Sequence, residues 1–167
     1  MLFFKKKPKI LSPEQQALAK EWSAKAQSAF VKGQWDSVIA CATAAIKMNP
    51  SLASSYNLRG VAYQNKGLFQ QAVQDFNQAL KLKPDQPETY YYRGLMYFAQ
   101  KIFENAEEDY TLALTLNPNY AHAFYARGLL RHIREYHAEA IEDLNAAIRL
   151  NPSDPLSYYY RGLTFSR

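Results

Sequence analysis

A proline recurs every 34 residues along most of this chain, at Pro50, Pro84, Pro118 and Pro152, each time after Asn or Lys. A fixed period of that length restricts the fold to a row of similar units that pack on their neighbours in the same way. Counting back from each proline gives repeats 19–52, 53–86, 87–120 and 121–154, then a fragment, 155–167. Other residues keep this register. Ala26, Gly60, Gly94, Gly128 and Gly162 align, and so do Val38, Ala72, Ala106 and Ala140. Ala45, Ala79, Ala113 and Ala147 form a third set, and Trp22, Tyr56, Tyr90, Phe124 and Tyr158 an aromatic one. All six glycines occupy just two repeat positions, the second holding Gly33 and Gly67.

Each unit reads as two helices. In the second repeat the apolar spacing predicts one helix over about 53–66, a turn near Gly67-Leu68, and another helix over about 70–82. The second helix ends before Pro84, since the residue ahead of a proline is pushed out of helical geometry. Gly60 and Ala72 have almost no side chain, so the two backbones can approach closely while larger aromatics pack around the contact. Ser12, Pro13 and Gln15 form the signature of a helix start, with Ser12 as N-cap and Gln15 closing a capping box.

The pattern Tyr56-x-x-Arg59-Gly60-x-x-Tyr63, then Ala72-x-x-x-Phe76, Ala79-Leu80 and Pro84, resembles the tetratricopeptide repeat (TPR). The resemblance covers residues 19–167. It implies an all-α fold: a right-handed superhelical solenoid of antiparallel helix pairs, with four full repeats and one terminal helix. It also implies a concave groove lined by the first helices, which binds a peptide or protein partner without catalysis. Repeat one departs from the pattern at Lys25-Ala26 and Ala29. Repeat four departs at Arg131, in an aromatic position, and at His137, where Trp35, Phe69 and Phe103 stand.

Arg59, Arg93, Arg127 and Arg161 precede each glycine, where the family usually prefers leucine, and Asp75, Asp109 and Asp143 follow 16 residues later. Repeat one has neither, carrying Lys25 and Cys41 instead. Shared presence and shared absence predict a partly buried ion pair within each repeat, because charges between helices need partners. Arg161 then lacks an aspartate of its own unless Asp143 reaches it.

Helical spacing turns a mainly polar set inward at the amino-terminal end: Ser23, Gln27, Asn57 and Asn65, with Val61 among them. Towards the other end it turns inward Tyr91, Leu95 and Phe98, then Tyr125, Leu129 and His132, then Tyr159 and Leu163. Seven of the 13 tyrosines are not required by the repeat itself, and three of these form the rungs Tyr91, Tyr125 and Tyr159. Tyrosine combines large contact area with a hydroxyl and little entropy loss, which suits a binding surface. The partner-binding set expected is therefore Asn57, Tyr91, Leu95, Phe98, Tyr125, Leu129, His132, Tyr159 and Leu163.

The net charge of +5 resides almost wholly in residues 1–12, where Lys5, Lys6, Lys7 and Lys9 meet no acid. This segment reads as a disordered, solvated tail that precedes a domain over 13–167. Alternatively, Leu2, Phe3 and Phe4 beside the lysines insert weakly at an anionic membrane surface through residues 2–9. The solenoid itself is nearly neutral, which disfavours nucleic-acid binding. No apolar run approaches the roughly 18 residues of a membrane span. A single cysteine, Cys41, suits a reducing, cytoplasmic setting. His122, His132 and His137 lack zinc-ligand spacing, and no glycine loop can cradle a phosphate, so neither metal, cofactor nor catalysis is expected. The acidic run Glu104, Glu107, Glu108, Asp109 reads as the solvated side of a helix.

The final segment bears Leu156, Tyr158, Tyr159, Tyr160, Leu163 and Phe165, an apolar face rather than a polar cap. Homo-oligomerisation through residues 155–167 is therefore a second expectation, and an accessory repeat domain of a larger protein a third. One TPR subclass clamps the acidic carboxylate tail of heat-shock chaperones with Lys and Asn on one first helix, Asn on the next, and Lys with Arg on the third. The matching places here hold Ser23 and Gln27, Leu58, then Glu88 and Tyr92; shifted by one repeat they hold Asn57 and Val61, Tyr92, then His122 and Ala126. Neither set is such a clamp. An immobilised EEVD-type peptide is expected to let the protein pass at physiological salt, and retention would contradict this reading.

Overall fold

The computed structural model describes residues 11–166. These form nine α-helices: α1 (Pro13–Val31), α2 (Trp35–Met48), α3 (Ala53–Asn65), α4 (Phe69–Leu82), α5 (Pro87–Ala99), α6 (Phe103–Leu116), α7 (Ala121–Ile133), α8 (His137–Leu150) and α9 (Pro155–Phe165). Each helix packs on the next, and the odd-numbered helices also touch one another in order, α1 on α3, α3 on α5, α5 on α7, α7 on α9. The result is an all-α solenoid. Residues 1–10, which carry the lysines and the proposed membrane contact, lie outside the described residues.

The expected first-helix start is present. The Ser12 side chain accepts from the Gln15 backbone N–H, and the Gln15 side chain accepts from the Ser12 N–H. The close approach at the small positions is also present: a Cβ on Gly60 would lie 2.7 Å from the Phe76 ring, and one on Gly94 would lie 2.7 Å from the Tyr110 ring. Nothing larger than hydrogen fits between those helix pairs. Phe76, Tyr110 and Leu144 are fully buried at matching places in α4, α6 and α8.

The arginines and aspartates pair as forks. Arg93 Nε donates to Asp109 Oδ2 at 2.8 Å and Nη2 to Oδ1 at 2.6 Å; Arg59–Asp75 and Arg127–Asp143 repeat this geometry. The third donor, Nη1, reaches back one repeat. It meets Thr43 from Arg59, Asn77 from Arg93, Thr111 from Arg127 and Asn145 from Arg161. Arg161, without its own aspartate, therefore bonds Asn145 rather than Asp143. Aromatics flank the guanidinium: Arg93 lies 5.6 Å from the Tyr90 ring centre and 5.8 Å from that of Tyr97.

Repeat four solves its missing aromatic differently. Arg131 donates to Glu107 at 2.9 Å and to Asp143 at 3.0 Å, and Arg134 joins Glu107 and Glu104. The acidic run of α6 is thus not one solvated face. Asp109 is buried in a fork, Glu107 bridges to α7, and only Glu104 and Glu108 are exposed. Charge lines both sides of the α6–α7 contact because arginine, unlike an aromatic ring, brings fixed donors that need acceptors.

The turn inside each repeat needs a left-handed residue. Gly33 and Gly67 adopt φ of +66° and +72°; Lys101 and Glu135, at the same register, are forced to 59° and 64°. A side chain there costs strain that glycine avoids. Lys101→Gly and Glu135→Gly, both at exposed positions, are each expected to raise the unfolding free energy by about 0.5–1 kcal/mol in urea denaturation. Unchanged or lowered stability in both would contradict the assigned strain.

Candidate functional site

Five of the expected groove residues converge. Tyr91, Leu95 and Phe98 from α5 and Tyr125 and Leu129 from α7 line one apolar recess of about 70 Å³, with Tyr110 beneath them. The period of the first helices brings them together: positions four and seven residues on from each tyrosine return to the same face. Next to it, Tyr91 and Tyr125 also border a second hollow of about 170 Å³, which adds His122, Asn151 and Asp154. The two hollows share their tyrosines, so one partner segment could fill both.

Tyr91 is the hub of an aromatic cluster. Its ring centre lies 5.1 Å from Tyr120, 5.4 Å from Tyr92, 6.2 Å from Tyr110 and 6.4 Å from His122. Such tilted packing favours a fixed arrangement of the rings. Burial pushes the Tyr91, Tyr110 and Tyr120 phenols above their ordinary value. Tyr125 is pushed up to about 12, by burial first and then by Tyr160 and Asp154.

The remaining expected residues lie elsewhere. Asn57 borders a separate recess between α1, α3 and α5, with Gln27, Val61 and Tyr92. His132 does not face the open groove. It is only 8% exposed, and its ring lies against His137 and Tyr160. The Thr164 hydroxyl donates to the Tyr160 carbonyl, so it accepts from His132 Nδ1 at 2.9 Å. α9 covers this histidine, which spacing within α7 alone could not reveal. Tyr159 and Leu163 line neither hollow; Tyr159 is 59% exposed and packs on Tyr160, while Tyr160 takes the place beside Tyr125. The expected three-rung ladder thus has two rungs that share a recess. Sequence reasoning missed Asp154 and Asn151, which come from the loop after α8. Asn151 was marked only as the residue before the periodic Pro152, and Asp154 only by its place just before a first helix.

Among the described residues no group of three or more side chains could hold a metal, and no helix is long and apolar enough to cross a membrane.

The comparisons agree with this architecture. Models of the tetratricopeptide repeat match residues 53–86 and 87–120, and a TPR repeat model matches 134–167, together more than half of the chain. The chain belongs to the tetratricopeptide repeat family. Among solved structures it is similar to MamA, at 26% identity and a TM-score of 0.78, over 84% of this chain and 82% of that one. The Arabidopsis OM64 TPR domain is 28% identical with a TM-score of 0.68, over 70% of this chain and 97% of that domain. The first TPR of Spaghetti (RPAP3), bound to the HSP90 peptide SRMEEVD, is 25% identical with a TM-score of 0.67, over 68% of this chain and 90% of that one. A comparison with curated proteins gives no match.

The raised phenols set an alkaline signature. Above pH 10 an unfolded tyrosine loses its proton while the buried ones keep theirs, so the native state holds more protons and stability falls as pH rises. The fall attributable to Tyr125 is expected between about pH 10 and 12. Denaturation midpoints across that range should drop less steeply in Tyr125→Phe, and equal slopes would contradict the assignment.

Proposed function

We propose that this TPR protein is a non-catalytic scaffold that holds a partner protein or peptide in the tyrosine-lined half of its groove. The observation that carries this reading is the apolar recess lined by Tyr91, Leu95, Phe98, Tyr125 and Leu129, which shares Tyr91 and Tyr125 with a neighbouring hollow that holds His122 and Asp154. Apolar hollows with a few convergent polar groups are the usual form of a recognition site. A similar fold is seen with a bound peptide in the first TPR of Spaghetti. An apolar or aromatic side chain of the partner would enter the recess, with its backbone beside His122 and Asp154. Asn57, Tyr159 and Leu163 would extend the contact along the first helices.

A second reading has its own observation. Leu156, Tyr159, Leu163 and Phe165 are all exposed on α9, Phe165 by 66%. The space at Gly162 is open, whereas Gly60, Gly94 and Gly128 each face a side chain of the following helix. Such a face suits a second copy of the chain. Sedimentation equilibrium would then show a mass that rises with concentration, and a constant monomer mass would remove this reading.

The groove reading is tested with peptides selected from a random display library on the wild-type protein. Tyr125→Ala is expected to weaken their binding by about 30-fold or more, as loss of a central aromatic anchor does. Tyr125→Phe should keep most of the affinity. Peptides that bind Tyr125→Ala as tightly as wild type would place recognition elsewhere.

A further inference from the structure

The recess beside Asn57 has a different chemistry from the tyrosine recess. It lies between α1, α3 and α5 and has a volume of about 240 Å³. Phe30, Val61 and Tyr92 form apolar walls, and Glu88 lies at its margin with no ion pair among the described residues. Among the described residues no lysine or arginine lines it.

Two of its polar atoms are buried and unsatisfied: Asn57 Oδ1 and Thr89 Oγ1. Thr89 is only 1% exposed. Buried polar atoms without partners carry a cost and call for a reason. The repeat does not supply that reason. At the register of Thr89 stand Ser55, Ala123 and Ser157. Ser55 donates to Ser23, and Ser157 donates to Asp154. Ala123 shows that the scaffold accepts no hydroxyl at all. At the register of Asn57 the later repeats carry Tyr91, Tyr125 and Tyr159. Both unpaired groups are therefore local to this recess.

We infer that the recess between α1, α3 and α5 binds a basic side chain, lysine or arginine, of a peptide lying in the groove. The aliphatic stem would run along Phe30, Val61 and Tyr92, as long cationic side chains do on apolar surface. The cationic head would donate to Asn57 Oδ1, reached by rotation about that amide's soft terminal torsion, and to Thr89 Oγ1 after a change of its χ1 rotamer, and would face the Glu88 carboxylate. An acidic side chain would be repelled by the Glu88 carboxylate. This inference rests on the groove as the peptide path but not on the tyrosine recess.

The test uses the full chain and seven-residue peptide pools whose central residue is Arg, Lys, Glu, Gln or Leu in an otherwise mixed background. Arg- and Lys-centred pools are expected to bind wild type at least about tenfold tighter than the others. Glu88→Gln and Thr89→Val should each erase most of that preference. Thr89→Val should leave the melting temperature unchanged or raised, because it removes an unpaired hydroxyl while keeping its shape. Tyr125→Ala should retain the preference for basic pools even where overall affinity falls, so failure of the tyrosine recess and failure of this one are told apart. A preference for Glu, equal binding of all pools, no binding of any pool, or a melting temperature lowered by Thr89→Val would each overturn the inference.

Discussion

The structure is organised around a buried guanidinium fork. In the second to fourth repeats one arginine grips an aspartate of its own helix pair with two donors and sends a third donor to the preceding repeat. Asp109 is 2% exposed and Arg93 19%. Burial first, and the neighbouring Glu108 charge after it, push the Asp109 carboxyl above its ordinary value, and Arg93 opposes that shift. Such a charge persists inside a helix stack only while its partner is present. The fork therefore ties three helices at once, the two of its own repeat and the last of the one before. Where repeat one lacks the aspartate, it lacks the arginine as well.

This choice frees the opposite side of each first helix. Residues two apart on a helix point about 200° from one another, so Arg93 faces the neighbouring second helices while Tyr91 faces the groove. The scaffold positions hold the backbone at a fixed spacing through Gly60, Gly94 and the buried Phe76 and Tyr110. The groove positions can then differ from repeat to repeat without disturbing the stack. Asn57 and Thr89 give one end acceptors, whereas Tyr91, Tyr125 and Leu129 give the other apolar walls. A partner with a basic residue and an apolar residue in one extended segment would meet both.

The helix pairs, the close-packed glycines and the Arg–Asp pairs were legible in the sequence because each depends on one residue type recurring at one register. The third leg of the fork was not. Thr43, Asn77, Thr111 and Asn145 alternate between two residue types that share only an acceptor oxygen. The inward face was legible for Tyr91, Leu95, Phe98, Tyr125 and Leu129, since helical spacing decides it. It failed for His132, whose burial comes from α9, an element beyond its own helix pair. Tyr159 lines neither hollow, and Tyr160 rather than Tyr159 packs on Tyr125. Loop residues such as Asp154 carried no periodic signal.

The central claim is that each buried fork acts as a unit, and a double-mutant cycle on Arg93 and Asp109 measures it most directly. Arg93→Leu, Asp109→Leu and the double variant would be compared with wild type by urea denaturation. Each single change strands a buried charge and is predicted to cost about 3–5 kcal/mol, with the double variant costing less than the sum by at least about 2 kcal/mol. Single costs below about 1 kcal/mol that simply add would contradict the account, for the fork would then be a surface decoration on a stack held by its apolar contacts alone.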